Sequence, residues 1–157
     1  MKDKPDRAPI IAPPPLLGVV CIVLGFILNH YKSLPLFPAR GLLAIVLGAV
    51  LIAISFAIIF SACRVFIAHG THPNPYRPTN AIVVTGVYKF SRNPIYVAFL
   101  IVVLAFALFA NSVWFLLMAA LLFVLLHVGV VKREERYLSE KFGETYRSYC
   151  QQVRRWI

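Results

Sequence analysis

An all-α, polytopic membrane fold of about four spanning helices is what this sequence predicts, on three observations. Sixty per cent of its 157 residues are hydrophobic and only 14% are charged, against roughly 25% charged in an average soluble domain. The apolar residues gather into four runs whose lengths approach the thickness of a bilayer core. Mean hydropathy is +0.77, and Lys and Arg flank the runs rather than interrupting them.

Residues 1–15 read as a basic amino-terminal tail that closes on Pro13-Pro14-Pro15. No small-residue cleavage site follows the first apolar run cleanly, so that run is expected to be retained. The rest, 16–157, reads as one membrane domain with spans at 16–31, 41–63, 95–110 and 113–131. At ~1.5 Å per residue the second run is about 34 Å long and crosses easily. The first and third, about 24 Å each, need flanking residues or a locally thinned bilayer.

Within the second run Ala49, Ala53, Ala57 and Ser61 recur every fourth residue. Small residues on one stripe let helix backbones approach in lipid, so this face is expected to pack on a neighbouring span in preference to forming a seam between two copies. Residues 69–85 are rich in Gly, Pro, Asn and Thr, and Pro73, Pro75 and Pro78 forbid a regular helix there. Asn111-Ser112 breaks the third run from the fourth and predicts an antiparallel helical hairpin. After Val131 the chain turns polar, with Leu138, Phe142, Tyr146, Tyr149 and Val153 three or four residues apart, which predicts an amphipathic helix at the interface or folded back on the loop.

The formal net charge is +10. With four spans, fourteen of the sixteen Lys and Arg residues fall on the side of both termini and the long loop, leaving Lys32 and Arg40 on the other. The positive-inside rule makes the richer side cytoplasmic. The same placement accounts for the basicity without a nucleic-acid partner. Cys21, Cys63 and Cys150 form no CxxC, and the odd count gives no disulfide framework.

No GxGxxG follows a strand pattern and no Walker loop is present. His69 and His72 are separated by Gly70 and followed by Pro73, which spoils helical presentation, so no metal site is expected. His127 lies inside the fourth run, about two turns before Glu134. A packed, hydrogen-bonded histidine is its plain reading, and a proton-handling one its sharper reading. Glu134 and Glu135 sit where that run ends, and by residue type alone they form a solvated helix end beside Lys132, Arg133 and Arg136. Set against Tyr88, Arg92, Asn93 and Tyr96, they suit an ammonium group and, through tyrosine faces, a sulfonium.

Several segments together resemble one superfamily. They are His69-Gly70-Thr71 and its continuation to Pro78, Ile82-Val83-Val84-Thr85-Gly86-Val87-Tyr88, and Arg92-Asn93-Pro94-Ile95-Tyr96. Farther on come Glu134-Glu135-Arg136-Tyr137-Leu138, Phe142-Gly143-Glu144-Thr145-Tyr146 and Tyr149. The combination resembles the isoprenylcysteine carboxyl methyltransferase and phospholipid methyltransferase superfamily. That resemblance implies a multi-span enzyme with an S-adenosylmethionine site on the cytoplasmic side, built from residues 69–96 and 132–157. Asn80, Ala81, Ile82, Val83, Tyr88, Asn93, Pro94, Ile95 and Tyr96 would line it, Glu134 would hold the methionine ammonium, and His72 or Asn74 would contact the cofactor.

One position departs from the pattern. Where the eukaryotic isoprenylcysteine enzymes carry an arginine for the substrate carboxylate, this chain has Val130, so Arg133 or Arg92 would have to substitute. The implied acceptor is lipid-like or prenylated, with O-methylation of a carboxylate foremost and a phospholipid amine or small thiol as alternatives. A carboxylate acceptor is ionised at neutral pH and needs no base, whereas an amine or thiol would need a proton acceptor. Arg92, Glu135 and His127 are the candidate catalytic residues, with His72 or a tyrosine as further bases. A non-enzymatic alternative is a small membrane scaffold whose aromatic and basic residues only anchor it.

Overall fold

The computed structural model describes residues 6–39, 41–70, 79 and 81–157, and among them every regular element is helical. His72, Asn74 and Asn80, with the loop expectation for residues 71–78, lie outside the described residues. The elements are α1 (Pro14–Tyr31), α2 (Leu42–Ala68), a 3₁₀ turn (Gly86–Lys89), α3 (Pro94–Phe109), α4 (Val113–Leu126), a π turn (His127–Val131), α5 (Lys132–Phe142) and α6 (Glu144–Gln152). α1, α2 and the continuous path Val113–Phe142 are long and apolar enough to cross a membrane, while α3 is apolar but shorter. Its 16 residues reach about 24 Å, short of a typical hydrocarbon core.

α3 is the central helix, touching α1, α2 and α4, with α1 also packed along α4. Two glycines let rings in. A Cβ on Gly25 would lie 2.7 Å from the Phe115 ring, and one on Gly48 would lie 2.7 Å from the Phe109 ring. Phe115 is fully buried and packs edge-on to Phe26 at 5.0 Å and stacks on Phe106 at 6.0 Å. This aromatic layer fills the half of the bundle away from the charged residues. In the other half Cys21, Val103, Leu122, Leu126 and Val130 form the core.

The hairpin between α3 and α4 forms at Asn111, whose φ of +47° is tolerated by Asn better than by most residues. Its side chain accepts the Phe37 N–H at 2.9 Å and donates to the Phe37 carbonyl at 3.0 Å. Trp114 Nε1 donates to the Lys32 carbonyl, so the α1–α2 loop is stitched to the hairpin.

Two expectations are corrected in detail. The segment after Val131 is two helices, because Gly143, at φ +54° and ψ −122°, takes a conformation almost confined to glycine and breaks α5 from α6. Of the stripe Ala49, Ala53, Ala57 and Ser61, the three alanines are exposed and Ser61 is half-buried; the buried face of α2 is Ala44, Gly48, Ser55 and Ala62. Small size marks residues able to pack closely, but on α2 it is the notch at Gly48, filled by Phe109, that sets the packed face.

Candidate active site

Gly86, at φ +59°, opens the 3₁₀ turn, and a Cβ there would press on Val65 at 2.8 Å, so the loop lies close on the end of α2. The turn drops Tyr88 against Phe66, ring centroids 5.1 Å apart, and against Ala62 and Val83. Pro94 then starts α3 in its first turn, where its missing N–H removes no intrahelical bond. Asn93, one residue earlier, donates its side-chain amide to the Arg155 carbonyl at 2.8 Å instead of capping the helix.

The start of α1, the end of α2, the start of α3, and α5 with α6 converge on a cavity of about 660 Å³, within the usual range for small-molecule sites. Ala81, Ile82, Val83, Tyr88, Asn93, Pro94, Ile95, Tyr96 and Glu134 all line it. Tyr96 donates its hydroxyl to Glu134 Oε1 at 2.7 Å. Among the described residues Glu134 has no cation in ion-pair range. A second, wholly apolar cavity of about 210 Å³ lies between α1 and α3, lined by Gly18, Val19, Ile22, Val102 and Val103. It shares Pro15 and Phe99 with the main cavity.

Glu135 has different company. Arg92 Nη1 lies 2.8 Å from its Oε1, and Arg155 grips it with both Nε, at 2.9 Å, and Nη2, at 2.8 Å. The Arg92 N–H donates to the Arg154 carbonyl at 3.0 Å. Arg92 and Glu135 border the cavity, but their bonded edges tie α3, α5 and the chain end together. His127 lies outside the cavity lining, stacked on Phe123 and 3.4 Å from Trp156 Nε1, which donates to its Nδ1. Val130 is fully buried in the core, and Arg133 donates to the Pro9 carbonyl at 2.8 Å.

Sequence reasoning did not place Ala8 or the three prolines at the cavity, nor Cys63 and Phe66. The amino-terminal segment reaches it because the π turn presents Gly129 to Ile11: the Ile11 N–H donates to the Gly129 carbonyl at 3.1 Å, and a Cβ on Gly129 would strike Ile11. Tyr137 and Lys141 both bond Asp6 Oδ1, at 2.8 Å each. The bond from Lys141, then that from Tyr137, holds the Asp6 carboxyl below its ordinary value. That tie is therefore complete at neutral pH and is released only as pH falls through this lowered value. Burial raises the phenols of Tyr88 and Tyr146 and pushes Tyr149 up to about 12. These three hydroxyls stay protonated at neutral pH, and Tyr149 donates its own to the Tyr88 carbonyl at 2.8 Å.

A family model described as phospholipid methyltransferase matches residues 43–145. An uncharacterized protein of Haemophilus influenzae is 36% identical over 62 residues, which cover 40% of this chain and 98% of that protein. The cobalt-zinc-cadmium resistance protein CzcN of Cupriavidus metallidurans is 32% identical over 68 residues, 43% of this chain but only 32% of CzcN.

Proposed function

The chain belongs to the phospholipid methyltransferase family, and from that premise we propose that it is an S-adenosylmethionine-dependent membrane methyltransferase acting on a lipophilic acceptor. One observation carries the reading: Glu134, held by Tyr96, faces a cavity of suitable size with no cation among the described residues to balance it. A carboxylate removed from water in this way is stabilised by a positively charged partner. The donor's ammonium is such a partner, and the tyrosine faces of the lining suit a sulfonium.

Bound there, S-adenosylmethionine would supply an electrophilic methyl group on sulfur. The chain contributes alignment and exclusion of water. Tyr96 fixes the Glu134 carboxylate, the turn at residues 86–93 presses Tyr88 into the wall, and Phe66 and Phe99 keep the wall apolar. Alignment can lower a barrier by roughly 7–11 kcal/mol in well-ordered cases. The apolar cavity between α1 and α3 shares the walls Pro15 and Phe99 with the main one and suits the hydrocarbon part of an acceptor arriving from lipid.

A lipid-borne carboxylate of the isoprenylcysteine kind asks least of this site, since it needs no base and the buried phenols offer none. A phospholipid amine is the second reading. The family match favours it, as does the burial of Val130 where a carboxylate-binding arginine would be needed. The distribution of Lys and Arg supports a cytoplasmic placement for this end of the bundle and both termini.

Titration calorimetry of the purified protein in nanodiscs tests the reading. S-adenosylmethionine and its demethylated product should both bind, and silence at millimolar ligand would end it. Transfer of a radiolabelled methyl group to a farnesylated cysteine analogue or to a phospholipid extract then separates the two acceptors.

A further inference from the structure

We infer that the unused edge of Arg92 is a carboxylate seat that receives the α-carboxylate of the methyl donor while Glu134 receives its ammonium. The inference rests on the methyl-donor reading and adds to it the second half of the amino-acid grip. Arg92 lines the cavity, and its Nη1 is committed to Glu135 at 2.8 Å and Cys150 at 2.7 Å. Its Nε is buried and has no hydrogen-bond partner, and no bond among the described residues uses Nη2. An orphaned buried N–H is costly enough that native structures seldom leave one.

Nε and Nη2 together form the side-on fork of a guanidinium, whose planar spacing matches the two oxygens of a carboxylate.

The local charges agree. Arg92 and Arg155 share one carboxylate, Glu135, which leaves one positive charge in that cluster. Next along α5, the Glu134 carboxyl is held by Tyr96 and has no cation beside it among the described residues. The two are bridged side by side to the start of α3, Glu135 through Arg92 and Glu134 through Tyr96. A zwitterionic α-amino acid group pairs with both at once, whereas a lipid anion at Arg92 would leave Glu134 without a cation.

The test compares S-adenosylmethionine with its decarboxylated analogue by calorimetry on the whole protein in nanodiscs, with no substitution required. Loss of the carboxylate should weaken binding at least about tenfold, the size expected for a charge-assisted pair. In Arg92→Lys, which keeps the charge but not the fork, the two ligands should differ by less than about threefold. Equal affinity of the two donors for the unaltered protein would overturn the seat while leaving the methyl-donor reading in place. Binding of neither donor would overturn both. If Arg92→Lys retains the full discrimination between donors and raises only the KM for the acceptor, the edge serves the acceptor and the inference falls.

Discussion

Glu134 and Glu135 are consecutive, yet their neighbours give them opposite duties. Glu134→Gln should leave the thermal midpoint in detergent nearly unchanged and weaken S-adenosylmethionine by about 1–3 kcal/mol, the cost of removing one member of a charged hydrogen bond. Glu135→Gln should do the reverse first. It leaves the Arg92 and Arg155 guanidiniums without their shared carboxylate, a loss on the order of 3 kcal/mol for a largely buried pair, visible as a lowered midpoint even without ligand. Equal midpoints for the two variants would refute the division. The pair itself was legible in the sequence, as was its closeness to Tyr96. Which carboxylate is tied down was not, because the deciding partner, Arg155, lies twenty residues farther on and reaches back only once α5 and α6 have folded.

Among elements, α2 shows where pattern reading stops. Its run of small residues at spacing four pointed to a packing face, but Ala53 is exposed and the contact with α3 is made at Gly48, where the Phe109 ring fills the notch. Composition on a helix that is apolar all round carries little directional signal, so the buried side depends on which neighbour supplies a ring. Gly48→Leu should therefore destabilise the protein by about 1–3 kcal/mol through overpacking, while Ala53→Leu, facing lipid, should stay within about 0.5 kcal/mol. Unfolding in a denaturing detergent series measures both, and a larger loss for Ala53→Leu would restore the small-residue stripe as the seam. The boundary between α5 and α6 was missed for a related reason: the hydrophobic spacing runs unbroken from Leu138 to Val153, and only the backbone at Gly143 reveals the bend. Gly143→Ala should cost on the order of 1–3 kcal/mol, because its conformation is nearly exclusive to glycine.

For the molecule as a whole, the four apolar helices and their order follow from hydropathy. The two terminal straps do not. The one laid along the π turn joins Ile11 to Gly129 through the main chain, and Pro9 and Asp6 to Arg133, Tyr137 and Lys141 through side chains far away in the sequence. The other holds the start of α3: its carbonyls at Arg154 and Arg155 accept from the Arg92 N–H and the Asn93 amide, Arg155 grips Glu135, and Trp156 lies against Phe123 and His127. Deleting residues 154–157 removes all of these from the turn that carries Tyr96 toward Glu134. Two hydrogen bonds at about 1 kcal/mol each, with the loss of a charged pair besides, should lower stability by at least about 3 kcal/mol. Donor affinity should fall with it, because the wall of the cavity loses its brace. Asp6→Asn makes the contrasting case at the other strap, where the tie to Lys141 is solvent-exposed and screened, so its loss should leave the thermal midpoint nearly unchanged. Thermal unfolding and calorimetry on both variants read the difference directly. A truncated protein that kept full donor affinity would show that the α3 turn holds its shape without the chain end.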